Sequence, residues 1–167
     1  MKIAITSDIH NNEVNLKKVL DYCKSEKVEK LICCGDLASK DILDFLNDNF
    51  SGDIYFAFGN MDNGYLKKYP FEKKYRNTFI TRDTGEADID NKKIAFTHYP
   101  EKAENLAQTG KYKFVFHGHT HRPWTEKIHN TIILNPGNVA GEIYPPTFAV
   151  WNTENDNFDL IRVHDLK

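Results

Sequence analysis

Short β-branched apolar runs alternate with segments of helical period along the first part of the chain. Lys2 to Thr6 is such a run, and the polar cluster Ser7, Asp8, His10, Asn11, Asn12 ends it, which predicts a buried strand feeding a loop. Leu16, Val19, Leu20 and Cys23 then recur at i, i+3, i+4 and i+7 with lysines and Asp21 opposite, predicting a helix that ends near Ser25. Lys30 to Cys34 reads as a second strand. Ser39 is placed to cap a second amphipathic helix through Ile42, Phe45, Leu46 and Phe50, with Gly52 closing it before a third strand at Ile54 to Phe58. This alternation predicts a parallel βαβαβ unit with right-handed crossovers.

The pattern breaks between Asn60 and Lys74, where Gly64, Pro70 and several lysines predict an irregular loop with room for one helical turn. Short strands follow at Thr78–Thr81, Glu86–Asp90 and Lys93–Thr97, with Asp90-Asn91 as a hairpin turn. A helix over Glu101 to Gln108, stopped by Gly110, precedes a strand at Lys113 to His117. Beyond it only strand patterns remain: Trp124–Ile128, Thr131–Leu134, Thr147–Trp151 and Phe158–Val163. Turns at His129-Asn130 and Asn155-Asp156 predict hairpins, expected to make a mostly antiparallel second sheet. The expected architecture is one α/β domain over 1–167, with two packed sheets and helices outside them.

Composition narrows the function. With 40% hydrophobic and 28% charged residues and a net charge of -2, the 167-residue chain can bury a core but lacks the basic excess of a nucleic-acid binder. The stretch Lys67, Lys68, Lys73, Lys74 is a solvated face, too short to change that. Cys23, Cys33 and Cys34 are odd in number and partly adjacent, so they form no disulfide framework and read as buried hydrophobes of a reducing compartment. The apolar run at the N-terminus is too short for a signal peptide, and no membrane span is present. A cytoplasmic location is expected.

The chemistry gathers at strand ends. Asp8 and His10 follow the first strand, Asp36 the second, and Asn60 and Asp62 the third, while His98 follows Thr97 and His119 and His121 follow His117. Loops at the carboxyl ends of parallel strands share one edge, where ligands bind. Alone, each residue could be a turn or a cap. Together they would carry a large desolvation cost without a cation, so a shared metal site is expected. Asp8, His10, Asp36, Asn60, His98, His119 and His121 are too many ligands for one four- or five-coordinate ion but suit two, with Asp36 as the bridge. Nitrogen and oxygen donors without thiolate fit Mn, Fe, Zn, Ni or Co.

The motifs Asp8-Ile9-His10, Gly35-Asp36, Gly59-Asn60-Met61-Asp62, Thr97-His98 and Gly118-His119-Thr120-His121, in this order, resemble the calcineurin-like metallophosphoesterases. The short length and Asn135-Pro136-Gly137-Asn138 are similar to the small phosphodiesterase branch of that superfamily. The resemblance, from Ile3 to about Val150, implies a four-layer α/β/β/α sandwich with two mixed β-sheets flanked by helices. It implies that Asp8, His10, Asp36 and His121 hold one metal ion and Asp36, Asn60, His98 and His119 a second, manganese being expected first. The implied reaction is hydrolysis of a small phosphodiester by a bridging hydroxide, with Asp36, Asn60 and His98 as catalytic residues. Asp62 would orient a ligand histidine or hold a turn, and His117 would stand behind the ligands or pack as a strand residue. Asn12, Asn60 and Asn138 are candidate substrate contacts, although Asn12 and Asn138 equally suit a cap or a turn. Arg122 reads as a surface arginine.

Many members carry histidine where this chain has Met61, which cannot donate a proton, so diesters with acidic leaving groups are the expected substrates. Tyr99 and Pro100 stand where glycine commonly follows the ligand histidine, and Asn11 replaces another common glycine. The competing expectation is a protein-binding scaffold of the same fold, resembling the retromer scaffold subunit. No nucleic-acid or membrane partner is expected, and assembly into a homo-oligomer is compatible with the sequence.

Overall fold

The computed structural model describes residues 1–66, 75 and 77–167. The lysine stretch Lys67, Lys68, Lys73, Lys74 lies outside them. Strand β1 (Lys2–Thr6), helix α1 (Glu13–Ser25), strand β2 (Lys30–Cys33), helix α2 (Lys40–Asn49) and strand β3 (Asp53–Ala57) form the expected parallel unit. Ser39 caps α2 by accepting a hydrogen bond from the Ile42 amide at 3.3 Å. Gly52 does not close that helix. The helix stops at Asn49, with Phe50 extended at φ -121°, and glycine is required at 52 because a Cβ there would lie 2.0 Å from the Glu29 carbonyl oxygen. Phe45 is only partly buried, and Leu43 takes the inward position.

A short helix α3 (Asp62–Leu66) starts right after Asn60 and Met61, and strand β4 (Thr78–Thr81) extends the sheet in parallel with β3. Strands β5 (Thr84–Ile89) and β6 (Lys92–Thr97) make a hairpin whose turn residues Asp90 and Asn91 both have positive φ, the backbone of the favoured two-residue turn. Helix α4 (Pro100–Gln108) ends before Gly110 at φ +65°, and strands β7 (Phe114–Phe116), β8 (Trp124–Ile128) and β9 (Thr131–Asn135) complete the second sheet.

The last strands depart from expectation. Strands β10 (Thr147–Asn152) and β11 (Asn157–Arg162) do pair as a hairpin, but they join the first sheet, with β10 antiparallel beside β1. The orders are β11-β10-β1-β2-β3-β4 and β5-β6-β7-β9-β8. The second sheet is therefore mixed rather than mostly antiparallel, since β6, β7 and β9 run parallel. The cause is burial on both faces of β10: Phe148 and Val150 pack toward α1 and α2, while Ala149 and Trp151 pack toward the other sheet.

Period-two alternation builds the layers. On β1, Ile3 and Ile5 enter the core between the sheets with Phe96, Phe114 and Phe116, while Ala4 faces α1 and α2. On the second sheet, Ala95, Val115 and Ile133 face outward onto Ala103 and Ala107 of α4. The result is a four-layer α/β/β/α sandwich whose loops after β1, β2, β3, β6 and β7 share one edge. Among the described residues no helix is long and apolar enough to cross a membrane.

Candidate metal centre

All seven expected ligands fall on those five loops. Asp8 and Asp36 are buried, at 0% and 2% exposure, and His98 and His121 are buried with them. His10 is half-buried, while Asn60 and His119 are exposed. The site therefore has a deep side around Asp8, His10 and His121 and an open side around Asn60 and His119.

Distances bring the donors together. His121 Nε2 lies 3.2 Å and His10 Nε2 3.7 Å from Asp8 Oδ1. Asp36 Oδ2 stands between the two sides, 3.7 Å from His10 Nε2 and 3.4 Å from His98 Nε2. His98 Nε2 is in turn 3.2 Å from both Asn60 Oδ1 and His119 Nδ1. Asp8, His10 and His121 form one group able to hold an ion, and Asp8, Asp36 and His98 form another.

Each main ligand is pinned on its far side by backbone. Asp8 Oδ2 accepts from the His119 amide at 3.0 Å, and Asp36 Oδ1 from the Met61 amide at 2.8 Å, so one oxygen of each carboxylate remains turned inward. His98 Nδ1 lies 2.7 Å from the Cys34 carbonyl and His121 Nδ1 3.3 Å from that of Glu142. A carbonyl can only accept, so both Nδ1 atoms carry the proton and both Nε2 lone pairs face the site. Two atoms at the centre, Asp8 Oδ1 and His10 Nε2, are buried with no hydrogen-bond partner. Among the described residues Thr97 Oγ1, beside His98, is the one further buried side-chain polar atom in this state. Buried polar atoms are as a rule satisfied, so the Asp8–His10 pair marks a place shaped for a cation, and the donor set fits divalent ions.

The backbone is strained where the ligands sit. Asp8, His10, Asp36, His119 and His121 all have φ between 44° and 70°, a region that costs non-glycine residues roughly 1–3 kcal/mol each. Asn11, at φ 60°, occupies a glycine-type position with a residue that tolerates it. Two glycines admit close approach: a Cβ at 59 would lie 2.0 Å from Asp36 Oδ1, and one at 118 would lie 1.7 Å from Ser7 Oγ and 2.6 Å from Asp8 Oδ2.

Electrostatics couple the groups. Burial works to raise the Asp8 carboxyl, but the imidazoles of His10 and His121 prevail and hold it well below the usual range. The Asp8 carboxylate in turn raises His10 and His121. Burial opposes the charge on His98, yet Asp36 shifts it upward. Burial pushes the Cys23 thiol up to about 12, which removes it as a ligand.

Other expected roles change. Asp62 orients no histidine: its carboxylate accepts from the amides of Asp36 at 2.7 Å, Gly59 at 2.8 Å and Ala38 at 3.0 Å, tying two ligand loops together. Asn12 caps α1 by accepting from the Asn15 amide at 3.0 Å and donates to the Ala140 carbonyl at 2.9 Å. Asn138 donates to the carbonyls of His121 and Tyr144 and accepts from the amides of Gly141 and Glu142. Both amides serve as cap and turn residues in the structure, Asn138 buried and Asn12 partly so. His117 is buried beside the ligand turn, its Nδ1 3.0 Å from the Gly118 carbonyl, and burial lowers its pKa. Arg122 is exposed, stacked 5.2 Å over the Trp124 ring.

Sequence reasoning missed Asn135, which donates to the Gly118 carbonyl at 2.9 Å and to Thr120 Oγ1 at 3.0 Å and so fixes the turn carrying His119 and His121. Tyr99, noted in the sequence as a departure from glycine, packs its ring 5.1 Å from His98 and 5.4 Å from His119. Asn135 opens the Asn-Pro-Gly-Asn segment, a signal that pointed to the turn but not to its partner.

Comparisons with known proteins bear on the fold that carries this site. The model of the calcineurin-like phosphoesterase superfamily domain matches residues 1–156. The phosphodiesterase MJ0936 of Methanocaldococcus jannaschii is 30% identical over 161 residues, covering 95% of this chain and 96% of that one. A solved archaeal phosphodiesterase superposes with a TM-score of 0.86 at 29% identity, over 97% of this chain and 99% of the other. Zinc-bound Vps29 from Entamoeba histolytica superposes at 0.66 and 17% identity over 98% and 99%, which shows a shared fold.

Proposed function

The chain belongs to the calcineurin-like phosphoesterase superfamily, and from that premise we propose that it is a metal-dependent phosphodiesterase acting on a small phosphodiester. The observation that carries the proposal is the pair of buried, partnerless atoms Asp8 Oδ1 and His10 Nε2 at the centre of seven convergent donors. Asp8, His10, Asp36 and His121 would hold one divalent ion and Asp36, Asn60, His98 and His119 a second, manganese being our first assignment. Two such ions would supply Lewis-acid charge to phosphate oxygens and would lower the pKa of water so that it can act as the nucleophile.

The chain's own residues set the rest. The Cys34 and Glu142 carbonyls keep the protons of His98 and His121 on Nδ1, so neither ring can turn its lone pair away. Asn60 brings a neutral oxygen where a third carboxylate would cancel positive charge. Asn60 and His119 lie on the open side, so substrate enters there while Asp8 and His121 stay shielded from water. Met61 donates only its backbone amide, to Asp36, and its side chain has no proton to give a departing alkoxide. Leaving groups that depart as weakly basic anions are therefore favoured.

The test is hydrolysis by the manganese-loaded protein. Bis(p-nitrophenyl) phosphate should turn over much faster than p-nitrophenyl phosphate, and Asp36→Ala should abolish turnover. No turnover with Mn, Ni, Co or Zn, despite two bound equivalents by elemental analysis, would overturn the enzyme and leave the protein-binding scaffold, to which the Vps29 likeness lends the fold alone.

A further inference from the structure

A second cavity lies along the loops that carry the ligands. Its volume is about 310 Å³, and it sits on the outer face of the second sheet between the start of α4, the end of β7 and strand β8. That size is at the lower end of small-molecule sites, roughly 300–1,000 Å³. Thr120, which lines it, stands between His119 and His121, and Pro100, which also lines it, follows His98 by two residues.

Its walls and its polar atoms point to one kind of occupant. Pro100, Ile133 and the half-exposed indole of Trp124 give apolar surface, and the Arg122 guanidinium already stacks on that indole at 5.2 Å. An aromatic face backed by a cation suits a flat ring. Arg122 makes no ion pair among the described residues. His117 lines the cavity at 6% exposure, with Nδ1 committed to the Gly118 carbonyl. The Gly118 carbonyl is nearer to Nδ1 than Asn135 Nδ2 is, 3.0 Å against 3.5 Å, which keeps the proton on Nδ1. Nε2 is then a lone-pair acceptor, and no hydrogen bond reaches it among the described residues. Glu104 adds a second acceptor to the lining. Glu126 lines it too, its carboxylate accepting from the Trp124 indole N–H at 3.2 Å. A cavity with one flat apolar wall and three acceptor side chains selects a planar ring that carries N–H donors.

We infer that this cavity binds the ring of a heteroaromatic ester group bearing N–H donors, of the nucleobase type, so that the favoured phosphodiesters carry such a group on one ester oxygen. Its use in catalysis rests on the phosphodiesterase reading, but its occupancy does not. Binding can be read without metal or turnover because the chain has two tryptophans, Trp124 on the cavity and Trp151 at 0% exposure in the core.

The experiment is a titration of the full chain in chelator, following both indole N–H signals by NMR, with Trp124→Phe to assign them. Adenosine and adenosine monophosphate should move the Trp124 signal saturably and leave Trp151 in place, while ribose phosphate should move neither. Trp124→Ala should weaken adenosine binding about tenfold by equilibrium dialysis, the scale of one base stacked on one aromatic ring. Arg122→Ala, a surface change that leaves the sheet edge intact, should weaken it severalfold. An unmoved Trp124 signal, an equal shift with ribose phosphate, or benzyl phosphate binding as tightly as adenosine monophosphate would each overturn the inference. None of these results bears on hydrolysis, so the failure of one reading is distinguishable from that of the other.

Discussion

At the amino ends of the strands, Asp156 lies 3.2 Å from Lys92 and 2.5 Å from Lys113, and the Trp151 indole N–H reaches it at 3.4 Å. Lys2 pairs with Glu26, and Lys30 with Asp53. At the carboxyl ends of the same strands, Asp8 and Asp36 are more deeply buried, yet no lysine or arginine meets them among the described residues; imidazoles, backbone amides and the Ser7 hydroxyl do. One edge supplies its own counter-charges in partly wet pairs, and the other orders its charges from behind and leaves their front faces to an ion. A cluster of acidic and basic residues at a strand end is therefore ambiguous until the partners of each oxygen are known.

The contrast can be broken deliberately. Asp36→Ala removes the carboxylate shared by both sides of the site, and hydrolysis should fall by more than about 100-fold, beyond the range for a group that only orients a ligand. Circular dichroism should show the fold kept. Asp62→Ala strips the partner from three buried amides and should cost about 3 kcal/mol or more in urea unfolding, with loss of bound metal by elemental analysis. Gly118→Ala forces a methyl group against Ser7 and Asp8 and should cost about 1–3 kcal/mol, with activity lost before stability.

Acidity sharpens the same contrast. His10, His98 and His121 have folded-state pKa values raised above 6.5, so their contribution to stability is complete below 6.5 and is lost as pH rises through the raised values. Asp8 is shifted down from 3.8, so its contribution is present above 3.8 and is lost as pH falls through the lowered value. Chelator-treated protein should thus melt at lower temperature as pH climbs above neutrality, while metal-loaded protein should gain, because protons and ions compete for the same nitrogens. Melting curves that move in parallel would refute the assignment. The smallest effect belongs to the opposite edge: Asp156→Ala should cost less than about 1 kcal/mol and leave hydrolysis unchanged.

Much of this was legible in the chain. Strands β1 to β3 were readable from apolar runs, and the convergence of the candidate ligands from their places just beyond such runs, because a buried strand and a polar loop differ sharply in composition. The sheet to which β10 and β11 belong was not. A hairpin pattern fixes which strands are neighbours, but β10 pairs with β1 across most of the chain length, and burial on both faces shows only in the assembled core. The role of Asp62 was hidden for a related reason. Its partners are backbone amides at 36, 38 and 59, and an amide donor leaves no mark in the identity of a residue. Asn12 and Asn138 suited substrate contact or loop closure equally until their partners were visible.

The left-handed backbone at Asp8, His10, Asp36, His119 and His121 has an evolutionary consequence. Glycine would relieve the strain at each position, so selection for a sturdier molecule pushes all five toward the one residue that has no donor atom. A lineage that stopped needing the ions should drift to glycine at these sites first, becoming more heat-resistant as it lost function. Homologues that have become scaffolds would be recognisable by that exchange before any assay is run.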